Sequence, residues 1–279
     1  MAGDAMIQKL EMTVLIDNVA EGPLVGEWGL SIMIDADDMR ILLDTGASGL
    51  FAQNADCLNI GLESVDIGVL SHAHYDHSDG LDTFFSLNNH APFLMREGTC
   101  ENCFGIKDGA LHYIGIQSGI LKQHEARIQY VSGVYKIADG LWLVPHRKSD
   151  YTAIAMRNDL YTVCGQDRRP DDFAHEQSLV VETEKGLVVF NSCSHAGMTN
   201  ILADISEMLG REDVYAYVGG LHLYKMTDEE LDLLCGEIQR TAIKHIFTGH
   251  CTGDHAFNYL RGKIGPGICQ FSSGFRYAF

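Results

Sequence analysis

The sequence lacks the features that carry a chain into or across a membrane. It contains no run of about 18 apolar residues, the length that a membrane-spanning helix requires. Its first residues, MAGDAMIQKLEM, have neither the basic start nor the apolar middle of a secretory signal. We therefore expect a cytoplasmic protein that does not act at a membrane.

Positive charge is also scarce. Twenty basic residues stand against 38 acidic ones, which gives a net charge of −18 spread along the whole chain. A surface of that sign opposes binding to nucleic acid or anionic lipid. It does not exclude a small anionic substrate, because a bound metal can reverse the local potential. We expect a small-molecule partner and no nucleic acid; the composition leaves a homo-oligomer open.

The cysteines lack the regular spacing of a disulfide framework, although there are eight of them. Cys100 and Cys103 form a single CxxC, and no second pair stands nearby to complete a structural zinc site. We expect structural or incidental thiols there, with a redox or extra metal role as the alternative. Cys193 and Cys251 are expected to be small packing residues, although a thiolate at either position could join a neighbouring site.

What the sequence does contain is an alternation of apolar strands and amphipathic helices in two similar halves, typical of an α/β protein. We interpret the 279 residues as a single domain, residues 1–279, with an irregular, lid-like stretch at about 88–178. Within that stretch, QDRRPDD is interpreted as a turn. The predicted strands are 12–19, 65–74, 214–223 and 244–253. The predicted hairpins are 30–46 and 179–197, and the predicted helices are 47–60, 198–209 and 226–242.

The most informative segment is SHAHYDHSDG, residues 71–80, which follows a predicted buried strand. His72 and His74 are two residues apart, so on an extended segment their side chains project to the same side. Asp76 and His77 follow directly. Imidazole and carboxylate together suit zinc, iron or manganese. Four such side chains in six positions predict a metal site rather than a polar loop.

Further histidines end other predicted strands. His195 ends GLVVFNSCSH and His250 ends KHIFTGH, while His222 follows VYAYVGGL. A histidine in a turn is common, so none of the three would be informative alone. Because the ends of neighbouring parallel strands meet at one sheet edge, we expect these side chains to join the 72–77 motif.

HxHxDH at 72–77, together with LLDTG at 42–46, resembles the metallo-β-lactamase-fold superfamily of metal hydrolases. SCSHAGMTNIL, GGLHL and GHCTG are similar to the subfamily named for dihydropterin–ribofuranosylaminobenzene phosphate synthase. The resemblance spans nearly the whole chain and implies a four-layer αββα sandwich. It implies one or two divalent metal ions, zinc first and iron or manganese as alternatives. The implied ligands are His72, His74 and His195 for one ion, and Asp76, His77 and His250 for the second, with Asp44 orienting the motif loop.

The sequence departs from this family at one point. Superfamily hydrolases usually bridge the two ions with an aspartate that ends the strand corresponding to 214–223, and here that strand ends in VGGLHL, with no aspartate. His222 is the nearest polar candidate, but a neutral imidazole offers one lone pair and cannot bridge as a carboxylate does. We therefore expect the two metal sites to differ in affinity. Asp76 and His222 are the expected catalytic groups.

Three functions follow from these observations. The first is a metal-dependent hydrolase that uses an activated hydroxide on a small ester, most plausibly a phosphoester. The second is a pterin-linked phosphate synthase or transferase, as the subfamily name implies. The third is a non-catalytic metal- or ligand-binding protein. Arg168 and Arg169, with Arg147 and Lys148, are the candidate contacts to an anionic substrate, and surface ion pairing is the alternative for them.

Overall fold

The computed structural model describes residues 6–146 and 150–279; Arg147 and Lys148 lie outside the described residues. Within these ranges the strands are β1 Leu10–Ile16, β2 Ser31–Ala36, β3 Met39–Leu43, β4 Ile67–Val69, β5 Phe93–Arg96, β6 Cys103–Lys107, β7 Ala110–Tyr113, β8 Ile128–Val131, β9 Tyr135–Ala138, β10 Leu141–Pro145, β11 Leu160–Cys164, β12 Asp167–Pro170, β13 Gln177–Thr183, β14 Gly186–Phe190, β15 Val214–Val218, β16 His245–Thr248, β17 Ile268–Gln270 and β18 Arg276–Ala278.

The helices of the described residues are α1 Leu50–Cys57, α2 Tyr75–Ser78, α3 Leu81–Leu87, α4 Ile120–Gln123, α5 Thr152–Arg157, α6 Met198–Leu209, α7 Asp228–Ile238 and α8 Asp254–Ile264. Helix α6 has the predicted bounds. Helix α7 begins with the predicted capping box, in which the Thr227 side chain accepts from the Glu230 backbone and the Glu230 side chain accepts from the Thr227 backbone. None of the described helices is long and apolar enough to cross a membrane.

Two seven-stranded sheets form the centre of the molecule. Their strand orders are β18-β1-β2-β3-β4-β5-β8 and β17-β16-β15-β14-β13-β10-β9. The strands are buried on both faces, as in β14, where Val188 and Phe190 pack between the sheets and Leu187 and Val189 pack against helices. A strand covered on both sides reads as a continuous apolar run, which is why GLVVF has no polar alternation.

Helices cover the two outer faces. The core outside the first sheet contains Phe51 of α1 and Phe84 of α3, whereas the core outside the second contains Ile201 of α6 and Leu231 of α7. The order of layers is therefore helix, sheet, sheet, helix, and the four-layer αββα sandwich is confirmed.

The stretch 88–178 is more integrated than a lid. Strands β5 and β8 belong to the first sheet and β9 and β10 to the second, so only part of the stretch stands apart. That part is a small third sheet in the order β12-β11-β6-β7. The interpretation of QDRRPDD as a turn was wrong: Asp167–Pro170 is β12, which pairs with β11 as a hairpin around Gly165.

The topology also explains where polar residues gather. Strands β3, β4 and β5 are parallel, as are β14, β15 and β16. The carboxyl ends of parallel strands lie at the same sheet edge, and segments that follow such ends are the common place for binding sites in α/β folds. The segments after β3, β4, β14, β15 and β16 carry, in order, Asp44, His72, His195, His222 and His250.

Candidate metal centre

Three buried imidazoles face one another at this edge. The ring centroids of His72, His74 and His195 are 4.6 to 4.7 Å apart in every pair. Their ring nitrogens include a set that lies within 4.8 Å of one another. Nε2 of His72, Nε2 of His74 and both nitrogens of His195 are buried, and among the described residues they have no hydrogen-bond partner. Such unpaired buried nitrogens are costly in a folded protein, and a shared cation would satisfy them.

The tautomer of His72 directs its lone pair to this point. The Ser71 hydroxyl donates to Asp44 Oδ2 at 2.6 Å, so its oxygen is left to accept from His72 Nδ1 at 2.8 Å. A proton on Nδ1 leaves the lone pair on Nε2. Burial, followed by the neighbouring histidines, lowers the pKa of His72 and of His195 well below the usual range. Both rings are therefore neutral near pH 7, the form that binds a metal.

Asp76, His77 and His250 form a second group beside the first. His77 Nε2 lies 3.2 Å from His250 Nε2, and Asp76 Oδ2 lies 3.4 Å from the same His250 atom. Burial alone would raise the pKa of Asp76, but the imidazoles of His77 and His250 outweigh it and hold that pKa below its usual range. An ionised carboxylate between two imidazoles is a donor set that fits a divalent metal.

Second contacts fix the rings of this group as well. His77 Nδ1 donates to Asp44 Oδ2 at 2.8 Å, and His250 Nδ1 donates to Asn18 Oδ1 at 3.0 Å. In His77, and in His250 when its ring is neutral, the lone pair is therefore on Nε2, which points at the partner imidazole. Burial lowers the pKa of His250, but the hydrogen bond to the Asp76 carboxylate outweighs it and raises that pKa to about 9, so a metal that binds there displaces a proton. The Asp44 contact is the one that the family resemblance implied; Asn18 was not predicted. Carboxylates and amides that hold the far nitrogen of a ligand histidine are usual around metals.

Buried carboxylates also hold the loops that carry the ligands, and the sequence analysis missed two of them. Asp17 accepts from the His250 backbone at 2.9 Å, and burial raises its pKa to about 6. Glu176 accepts from the backbone of His195 at 2.8 Å. For Asp17 the only sequence signal was a single acid after an apolar run, VLIDN, which cannot be told from an ordinary turn acid.

His175, which no sequence pattern singled out, also braces the motif. Its Nδ1 accepts from the Ala73 backbone at 3.1 Å, and its Nε2 donates to buried Asp171 at 3.1 Å. Cys103 of the CxxC is buried with its Sγ 3.6 Å from the same Nε2, whereas Cys100 is exposed. This cluster packs behind His74 and fixes the backbone between the two motif histidines.

A cavity of about 300 Å³ opens over these groups. His74, Asp76 and His195 lie at its base with His222, and the ring centroids of His222 and His195 are 4.4 Å apart. Within the described ranges, neither ring nitrogen of His222 has a hydrogen-bond partner. His222 thus lies in the same cavity as the predicted ligands.

Other wall residues include apolar side chains in and beside the third sheet and three aromatic side chains. Ile106, Ile114 and Leu160 form one side, and the partly exposed rings of Trp28, Tyr75 and Tyr224 form the rim. A mostly apolar cavity with a few polar groups at its base is the usual form of a small-molecule site.

Arg168 and Arg169 are not among these wall residues. Arg168 lies over the ring of Tyr161, and Arg169 pairs with Asp167 at 3.4 Å while remaining largely exposed, which matches the alternative of surface ion pairing. Among the described residues, Lys107 and Lys225 are the cations that line the cavity. Neither stands in a motif, so the sequence offered no reason to select them.

Comparison with known proteins gives consistent results. The family model described as the metallo-beta-lactamase superfamily matches residues 29–155. The chain is 27% identical, over 90% of both chains, to 7,8-dihydropterin-6-methyl-4-(beta-D-ribofuranosyl)-aminobenzene-5'-phosphate synthase of Methanocaldococcus jannaschii. It is 24% identical to an uncharacterized protein of the same organism, over 90% of this chain and 97% of that one.

Solved structures agree on the fold. A crystal structure described as a metal-dependent hydrolase of the beta-lactamase superfamily superposes with a TM-score of 0.82 at 26% identity, covering 96% of this chain and 98% of that one. A diphosphatase of the PhnP family superposes with a TM-score of 0.57 at 15% identity, covering 97% and 98%. The second likeness concerns the fold alone.

Proposed function

We propose that this chain, whose residues 29–155 match the metallo-β-lactamase superfamily, is a metal-dependent hydrolase of a small anionic ester, a phosphoester in the first instance. One observation carries the proposal: neutral, buried imidazoles with unpaired nitrogens converge beside an ionised carboxylate at the base of a cavity. This donor set fits divalent metal, with zinc as the ion we propose first.

The residues divide the work between binding and proton transfer. His72, His74 and His195 would hold one ion, and Asp76, His77 and His250 a second. A bound divalent metal supplies a hydroxide nucleophile near neutral pH and offsets charge on the ester oxygens. Asp76, whose side chain is 11% exposed at the cavity base, can take a proton from an attacking water at a carboxylate oxygen. His222 can give a proton to the leaving group from one of its free nitrogens.

The cavity walls suggest the substrate class. Lys107 and Lys225 line the cavity of a protein whose net charge is −18; Lys225 is paired with Asp159 at 2.8 Å, so Lys107 is the cation proposed to meet an anionic group. Trp28, Tyr75 and Tyr224 offer ring faces to a planar group. The proposed substrate is therefore a small phosphoester that carries a planar ring system; nucleic acid and membranes are not proposed as partners.

The test is turnover of p-nitrophenyl phosphate and bis-p-nitrophenyl phosphate by metal-loaded protein. We expect hydrolysis that disappears in a His72→Ala/His74→Ala variant and persists in a His90→Ala/His112→Ala control, whose two histidines are exposed. Full metal loading without hydrolysis of either ester would overturn the proposal. Elemental analysis of protein purified without added metal identifies the ion.

A synthase is the second candidate, favoured by the 27% identity to the Methanocaldococcus jannaschii enzyme over 90% of both chains. Consumption of a dihydropterin diphosphate with release of pyrophosphate, in the absence of ester hydrolysis, would select this function. A metal-loaded protein that turns over neither kind of substrate would leave the third candidate, a ligand-binding protein.

A further inference from the structure

The place of the missing bridging aspartate cannot accept any side chain. Gly219 and Gly220 follow β15, where that aspartate is expected. A Cβ on Gly219 would lie 1.8 Å from the Asn191 carbonyl oxygen, and the φ of Gly219 is +136°. A Cβ on Gly220 would lie 2.5 Å from the sulfur of Cys251. Glycine at both positions is therefore a requirement of the packing, and a carboxylate cannot reach the centre from this strand end.

Two cysteine sulfur atoms lie where the bridging aspartate is expected. Cys251 Sγ stands against Gly220, and Cys193 Sγ lies 3.4 Å from it. Cys193 is 2% exposed and lines the base of the cavity with His195 and His222. Strand β14 ends three residues earlier, so the thiol enters from the strand beside the one that carries the two glycines.

Cys193 reaches both halves of the centre. Its Sγ lies within 4.8 Å of ligand nitrogens of His72 and His77, which belong to different halves, and it also groups with His195 and with His250. Its distance to His77 Nε2 is 3.2 Å. Two ligands on one tetrahedral zinc, at bond lengths near 2.0 and 2.3 Å, are about 3.5 Å apart. The sulfur therefore stands at ligand spacing from the second half and within reach of the first.

We propose that the Cys193 thiolate is a metal ligand shared by the two half-sites, in the role that the aspartate has in related hydrolases. When metal binds, the S–H bond breaks, the proton goes to solvent and the sulfur lone pairs bind the ions. A thiolate sulfur has lone pairs for two metals, which a neutral imidazole does not. Soft thiolate biases the centre towards zinc, cobalt or ferrous iron and away from magnesium or manganese.

Cys251 has a different position. It lines the same cavity and groups with Cys193 and His250, while its sulfur stands against Gly220. Its sulfur contacts that of Cys193 at 3.4 Å and so helps to position it. The inference rests on the metal centre of the proposed function and not on the reaction, so it can be tested without any substrate.

The experiment loads metal-free wild-type protein with Co²⁺ and records metal content and the near-ultraviolet sulfur-to-cobalt absorption. We expect that absorption in wild type and in a Cys57→Ser control, whose thiol is exposed. Cys193→Ser should lose the absorption and keep about one ion per chain. It should bind the other ion about 100-fold more weakly or worse, because even the loss of a residue that only supports a ligand lowers metal affinity by up to about 100-fold. Cys193→Asp should restore the second ion without the absorption.

X-ray absorption on zinc-loaded wild type provides a readout that needs no variant, with a sulfur neighbour expected at about 2.3 Å. Wild type that holds cobalt or zinc without any sulfur signal, or an unchanged cobalt spectrum in folded Cys193→Ser, would overturn the inference and leave the metal centre intact. Wild type that binds no metal would overturn the metal centre itself, and the inference with it.

Discussion

At the scale of single residues, the centre depends on which nitrogen of each histidine carries the proton. Asp44 sets this for two rings, directly for His77 and through Ser71 for His72. It does so from a left-handed backbone conformation, φ 61°, which aspartate tolerates better than most residues. One fully buried carboxylate therefore prepares the lone pairs of both halves of the centre.

Replacement of Asp44 tests this arrangement. Asp44→Asn keeps the size and tolerates the backbone, but its amide cannot accept from both Ser71 Oγ and His77 Nδ1 with a full charge. We expect metal affinity to fall by about 10–100-fold while the protein remains folded, measured by competition with a chromophoric chelator. Asp37→Asn, which also has positive φ but lies in an exposed turn, is the matched control and should bind metal normally.

Removal of two ligand imidazoles is the more drastic change. His72→Ala/His74→Ala leaves His195 alone in its half-site, so most of the metal should be absent from purified protein by elemental analysis. The exposed pair His90 and His112 provides the control, because the same double change there leaves the centre untouched. Full metal content in the first variant would contradict the ligand assignment.

His222 is expected to separate metal binding from activity. Its nitrogens have no partner among the described residues and it shares the cavity with His195, but the ligand proposed to bridge the two half-sites is Cys193. His222→Ala should keep the metal and lower kcat by roughly 10²–10⁴, the usual worth of a general acid or base. Loss of metal in this variant, or unchanged kcat, would refute the proton-donor role.

At the scale of elements, sequence patterns predicted most of what their own residues determine. The hairpin around Asp37, the helix over 198–209 and the capping box at Thr227 follow from local alternation, period and capping chemistry. The HxHxDH residues come together in the structure for the same reason, since they are adjacent in sequence; their role as ligands stays a prediction.

What local patterns could not predict are contacts between distant segments. Strands β6 and β11 pair across more than fifty residues, so no local pattern predicts that the two hairpins of the third sheet join. Lys107, Asn18 and Glu176 become site residues only when separate strand ends meet. The interpretation of QDRRPDD as a turn failed likewise, because its charged side chains concealed an exposed edge strand.

The cap of α7 gives a prediction about stability at this scale. Thr227→Ala removes the acceptor for the Glu230 backbone, which should cost about 1 kcal/mol of unfolding free energy. For a chain of this size that corresponds to a fall in Tm of roughly 2–4 °C. Thr199→Ala, whose hydroxyl only donates to an exposed glutamate, should stay within about 0.5 kcal/mol of wild type. Equal losses in the two variants would contradict the cap.

At the scale of the whole molecule, the centre joins the two halves of the sandwich. The segments after β4 and β3 supply His72 and Asp44 from the first sheet, and those after β14 and β16 supply His195 and His250 from the second. A metal held by ligands from both sheets therefore crosslinks them. Its binding free energy adds to the stability of the folded state, because the unfolded chain does not hold the ligands together.

Chelation of the metal should therefore destabilise the entire fold and not only the loops at the site. A ligand present at about 100 times its dissociation constant contributes about 2.7 kcal/mol, so its removal should lower Tm by roughly 5–10 °C at a single transition. Differential scanning calorimetry of wild type with and without chelator measures the shift. The His72→Ala/His74→Ala variant should show a much smaller response to the chelator, since it has little metal to lose. An unchanged Tm for metal-loaded wild type after complete chelation would mean that the sheets hold together without the ions, and the centre would then be a site built on the sandwich rather than a crosslink within it.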